Sequence, residues 1–132
     1  MPARPAAGFD SHYTGFFDAF NSRLFFEAHE ILEELWLPIR RQPGGDYYKG
    51  LIQLAGAFVH VQKQRPGPAI ALLRLACRNL SRYPALHEGL DLHRVLALIT
   101  LWEGQLACNP KNEGGSRIEF PILQLERSPL DG

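Results

Sequence analysis

Phe25-Phe26-Glu27-Ala28-His29-Glu30-Ile31-Leu32-Glu33-Glu34-Leu35-Trp36 is the stretch whose reading decides the fold. At 100° per residue Phe25, Ala28, Ile31, Leu32, Leu35 and Trp36 fall on one broad apolar face, the pattern of a helix that buries one side. The helix is expected from about Arg23 to Leu37, with Pro38 ending it. His29 lies at the edge of the apolar face with Glu33 beside it. Phe26 and Leu37 bracket Glu33 and, in part, Glu30, whereas Glu27 and Glu34 project to water.

Upstream, Tyr13, Phe16, Phe17 and Phe20 predict a first helix over Ser11–Phe20, with Gly15 limiting its length. Asn21-Ser22 is the expected turn and supplies a cap for the helix that follows. Residues 1–10, broken by Pro2, Pro5 and Gly8, read as a flexible tail. Downstream, residues 40–45 are a loop by composition, and Asp46 is the expected cap of a third helix running to about Lys63. Its wide apolar face takes in Tyr47, Tyr48, Leu51, Leu54, Phe58 and Val61. Lys49, Gln53, Gly56 and His60 form the opposite stripe, and a glycine inside a helix marks a place where another group comes close.

Gly67 as cap and Pro68 at the first helical position open a fourth helix to about Tyr83. Its core stripe is Ala69, Leu72, Leu73, Ala76, Leu80 and Tyr83. Asp91 is expected to cap a fifth, to about Ala107, with Val95, Leu98, Ile99, Trp102 and Leu106 inward. Beyond Asn109 the helical period is lost, and 118–123 is extended enough to lie across the helices. The architecture is therefore all-α: four to five helices joined by short turns over 11–108, with an irregular or extended C-terminal tail over 109–132.

Three of these segments in order, the His29-Glu-x-x-Glu33 helix ending in Trp36, the Tyr48-x-Gly-Leu-Ile-Gln53 helix and the Gly67-Pro-Ala start, carry a resemblance to the domain of unknown function 309 family over roughly residues 16–108. The resemblance implies a small all-helical fold and brings no agreed activity.

Fourteen basic and fourteen acidic residues cancel in 132, which leaves no general field to hold nucleic acid or an anionic membrane. Arg74, Arg78 and Arg82, four residues apart, are a local basic stripe and read first as a solvated helix face. No apolar run reaches membrane-spanning length, and the N-terminus lacks a signal-peptide core. Two cysteines, Cys77 and Cys108, fall in helical pattern without metal-finger spacing, which fits reduced thiols and a cytoplasmic protein. Apolar faces in excess of one small core are compatible with a homodimer.

His29, Glu30, Glu33, Gln53 and His60 are the candidate site, a polar cluster between helices. The leading reading is a non-catalytic module that binds a small ligand or a protein partner through this cluster and needs no cofactor. The alternative is a metal-dependent hydrolase. His29 and Glu33 have the spacing of a zincin helix, His60 would complete three ligands to one divalent metal such as zinc, and Glu30 would act as base on its water. A purely architectural network of buried hydrogen bonds is the third reading.

Overall fold

The computed structural model describes residues 10–108 and 119–126. It contains five α-helices: α1 (Ser11–Asn21), α2 (Phe25–Trp36), α3 (Gly45–Gln62), α4 (Pro66–Leu80) and α5 (Leu92–Cys108). A 3₁₀ turn, Leu37–Ile39, follows α2, and a hairpin of β1 (Leu86–His87) and β2 (Leu90–Asp91) precedes α5. The expected all-helical fold is the one observed. The tail expected over 1–10 lies outside the described residues apart from Asp10, as do 109–118 and 127–132 of the C-terminal one.

Consecutive helices pack on one another, with α3 held between α2 and α4. The core is aromatic at its centre. Phe16, Phe20, Phe25 and Phe58 are fully buried, and Phe20, Phe25 and Phe58 meet with centroids 4.9–5.8 Å apart. On α2 the buried residues are Phe25, Ala28 and Leu32, with Ile31, Leu35 and Trp36 packed at the margin. That is the apolar face given by the wheel.

Helix ends differ from expectation in instructive ways. α1 runs one residue further and closes with Arg23 in the left-handed region at φ 65°. Leu24 N–H donates to the Ala19 carbonyl at 2.9 Å and Arg23 N–H to that of Phe20 at 3.0 Å, which is the Schellman closure. The reversal leaves Leu24 as N-cap of α2 without a side-chain cap, so neither Asn21 nor Ser22 serves there. α3 ends in the same way through Gln64 at φ 57°, with Arg65 N–H on the His60 carbonyl at 2.9 Å and Gln64 N–H on that of Val61 at 3.0 Å. Arg65 is then the N-cap of α4 and Pro66, not Pro68, is its first residue. Both closures place ordinary residues where glycine is the usual signal.

α3 begins at Gly45, one residue before the expected cap. A Cβ there would lie 2.7 Å from the carbonyl oxygens of Ile39 and Arg40, so glycine permits the helix to start against that loop. Asp46 sits in the first turn and pairs with Arg82. α2 ends at Trp36 ahead of Pro38, as expected, and Pro38 joins the 3₁₀ turn that follows. Asp91 does cap α5, accepting from Arg94 N–H at 3.1 Å.

Candidate functional site

On α2 the imidazole Nε2 of His29 lies 3.6 Å from Glu33 Oε2, across one helical turn. That is an ion-pair separation, longer than a hydrogen bond. Both side chains are partly exposed, Glu30 is exposed, and the His29 ring stacks on Phe26 at 6.0 Å. Phe26 itself is 55% exposed and Leu37 44%. The outer face of α2 thus combines two apolar side chains with four carboxylates, and no lysine or arginine occurs from Phe25 to Trp36.

Gln53 takes a different partner. Its Oε1 accepts from Asn79 Nδ2 of α4 at 2.7 Å, and Asn79 is 9% exposed. This bond sits beside a close approach of α3 and α4, since a Cβ on Gly50 would fall 2.8 Å from Leu80 Cγ and 3.2 Å from Asn79 Cβ. Gly56, singled out in sequence, meets Leu72 of α4 less tightly, at 3.3 Å. The polar stripe of α3 is therefore turned toward α4 at Gln53 and Gly56. His60 is partly buried, and its Nδ1 is buried without a hydrogen-bond partner, as are His29 Nδ1 and Trp36 Nε1.

The five candidates are accordingly distributed. His29, Glu30 and Glu33 share α2, Gln53 and His60 lie on α3 with Gln53 in the seam with α4, and among the described residues no hydrogen bond or ion pair links the two sets. Nor, among the described residues, do three or more His, Cys, Asp or Glu side chains form a group placed to hold a metal ion.

A denser polar cluster lies where sequence reading assigned only core aromatics. All four tyrosines of the chain, from three separate segments, converge on the β-hairpin. Its two-residue turn is Glu88-Gly89, with φ of 46° and 77°, the both-positive geometry of a type I′ turn. Tyr13 donates to the Glu88 carbonyl at 2.8 Å and shares a hydrogen bond with the Tyr47 hydroxyl. Tyr47 also reaches the His87 carbonyl at 3.3 Å. Tyr48 donates to the Glu88 carboxylate at 2.8 Å. The Tyr83 hydroxyl accepts from Tyr47 N–H at 3.0 Å and donates to the Pro43 carbonyl at 2.9 Å.

The His87 ring sits 4.5 Å from Tyr47 and 4.8 Å from Tyr83. Burial is the first cause that pushes the phenols of Tyr13, Tyr47, Tyr48 and Tyr83 above the ordinary tyrosine range. The neighbouring Glu88 carboxylate adds to it at Tyr13, Tyr47 and Tyr48. The sequence signal was available in part: Gly89, between Leu86-His87 and Leu90-Asp91, is a turn residue. A non-glycine residue at positive φ costs about 1–2 kcal/mol, and the hydrogen bonds to both the carbonyl and the carboxylate of Glu88 hold it there.

Two of the three stripe arginines are engaged locally: Arg74 of α4 bonds Glu103 of α5 at 2.9 Å, and Arg82, just past the end of α4, bonds Asp46. Cys77 and Cys108 are unpaired thiols, and no helix among the described residues is long and apolar enough to cross a membrane.

The family model of the domain of unknown function 309 matches residues 13–72, so the resemblance carried by the α2 and α3 motifs holds over that stretch. An uncharacterized protein of Bacillus subtilis, YpuF, is 38% identical over 80 residues, which are 59% of this chain and 46% of that protein. An uncharacterized protein of Aquifex aeolicus is 28% identical over 81 residues, 61% of this chain and 24% of its own length. The match thus spans less than half the length of either relative.

Proposed function

We propose that this chain, bearing the pattern of domain of unknown function 309, is a non-catalytic interaction module that docks a basic amphipathic partner on the outer face of α2. The observation that carries the reading is the pairing of half-exposed Phe26 and Leu37 with Glu27, Glu30, Glu33 and Glu34 on a helix without a cation. Apolar anchors beside a run of carboxylates suit a helix that offers leucines along one stripe and lysines beside it. Glu34 is already paired with His12 and Arg40 sits on the Leu37 carbonyl, which leaves Glu27, Glu30 and Glu33 for the partner. His29 lies within this patch, stacked on Phe26 and 3.6 Å from Glu33. Recurrence of the same stretch inside two longer chains is what a module grafted onto different contexts would give. Two unpaired cysteines fit work in a reducing compartment such as the cytoplasm.

Titration of isotope-labelled protein with a leucine–lysine helical peptide tests it by nuclear magnetic resonance. Amide shifts should cluster at residues 26, 29, 30, 33 and 37. They should vanish in Glu30→Lys/Glu33→Lys protein and with a leucine–glutamate peptide. Shifts elsewhere, or none, would overturn the proposal. Elemental mass spectrometry of untagged protein separates it from the hydrolase alternative: about one zinc per chain, lost in His29→Ala, would transfer the assignment to a metal site at His29, Glu33 and His60.

A further inference from the structure

Residues 119–126 lie across the helices in the manner of a bound peptide. The Phe120 ring stacks on Trp102 at 6.2 Å and 12°, approaches Phe25 at 5.3 Å and Phe58 at 6.2 Å, and lies under the Arg23 guanidinium at 5.4 Å. Three residues on, Leu123 is buried, and the Asn21 amide reads its backbone in both directions. Asn21 Nδ2 donates to the Leu123 carbonyl at 2.8 Å, and Leu123 N–H donates to Asn21 Oδ1 at 2.8 Å. Leu125 then pairs with Leu90 in an antiparallel bridge, and Glu126 N–H donates to the Gly89 carbonyl. Backbone pairing with a sheet edge, an amide clamp and pockets for Phe120 and Leu123 are the devices by which proteins hold extended peptides.

The other edge of the segment is loosely seated. A cavity of about 600 Å³ separates residues 122–126 from α5, a volume in the range of ligand pockets. Leu101 and Ile122 on its walls are 56% and 65% exposed. The clamp residues Asn21, Arg23, Phe25 and Phe58 fall inside the family-matched stretch 13–72, whereas Gly89, Leu90 and Trp102 of the groove and the segment itself fall outside it.

We infer that this groove is a recognition site for extended Phe-Pro-x-Leu-x-Leu segments and that residues 120–125 fill it in cis. A partner segment of that chemistry binds by displacing the chain's own. The site is distinct from the outer face of α2 and stands or falls independently of it.

The test is fluorescence anisotropy of a labelled peptide of sequence Glu119–Glu126 added to the full chain and to its Phe120→Ala/Leu123→Ala variant. The variant, with its cis competitor weakened, should bind at least tenfold more tightly than wild type. Adding Asn21→Ala to it should cost at least tenfold, and a scrambled peptide should not bind. No saturable binding to a variant that retains cooperative unfolding, or binding indifferent to Asn21, overturns the inference. Hydrogen exchange on the wild-type chain gives an answer if the variant does not fold. A displaceable segment exchanges its Leu123 and Glu126 amides at least a hundredfold faster than the α3 core, whereas equal protection makes the segment integral and overturns the inference.

Discussion

The outer face of α2 and the tyrosine junction at the hairpin are both rich in polar side chains, and the fold treats them in opposite ways. Four carboxylates and a histidine crowd twelve consecutive residues of α2, yet they stay exposed or partly so; the one pairing within the helix is a 3.6 Å contact across a turn, and Glu34 pairs outward with His12 of α1 at 3.0 Å. Four phenols dispersed over Tyr13, Tyr47, Tyr48 and Tyr83 are instead drawn inward and tied to one another and to the turn at Glu88. Density along the chain marked the exposed surface, and dispersal along the chain marked the buried network. The first leaves its carboxylates at the surface; the second holds α1, α3, the segment after α4 and the hairpin together.

That contrast predicts its largest effect at Tyr47. Removing the ring in Tyr47→Ala takes a fully buried aromatic out of the core and should cost about 3–5 kcal/mol in urea denaturation. Tyr47→Phe keeps the ring but strips a hydrogen-bond partner from Tyr13 and from the His87 carbonyl, for a loss of about 1–3 kcal/mol. A neutral Tyr47→Phe would break the comparison, because the junction would then be held by packing alone.

Alkaline pH sharpens the same point with a smaller effect. The tyrosines are held above their ordinary pKa near 10 in the fold, mainly because burial disfavours the phenolate. Above about pH 10 an unfolded chain releases protons that the folded chain retains. The native state then binds more protons, so stability must fall as pH rises through that window, by up to about 1.4 kcal/mol per pH unit for each buried tyrosine. Below the ordinary pKa the contribution is fully present. Denaturation midpoints followed from about pH 9 to 11 should drop more steeply for wild type than for Tyr47→Phe. Parallel slopes would mean that Tyr47 titrates as it does in the unfolded chain.

Much of the fold was legible because its periodic segments are long and amphipathic. Phe25, Ala28 and Leu32 could only face a core, and Asp91 before an apolar run could only be a cap. What escaped was set by tertiary context. Arg23 and Gln64 close helices in a conformation their side chains do not announce, because two hydrogen bonds to the preceding turn offset the strain. Asn21 looked like a cap and is a clamp on Leu123, 102 residues away, a distance at which no local pattern operates. The candidate site was legible as a helix face on α2. The expected link from that face to Gln53 is absent because Gln53 turns to Asn79 of α4, and placing it required knowing which side of α3 meets α4, where Gly50 lets Leu80 come close.

The smallest effect should come from the site that the sequence made most conspicuous. Glu30 is exposed and Glu33 partly so, with no hydrogen bond from either among the described residues. Exposed ion pairs contribute little because water screens them and ordering long side chains opposes them. Glu30→Ala and Glu33→Ala should therefore each shift stability by no more than about 0.5 kcal/mol. A loss of about 3 kcal/mol at Glu33 would instead place it in a buried network, and α2 would join the tyrosine junction as architecture. If stability holds while the basic peptide no longer binds, the carboxylates serve recognition. The two faces then differ in kind: one keeps its polar groups for the fold, the other for a partner.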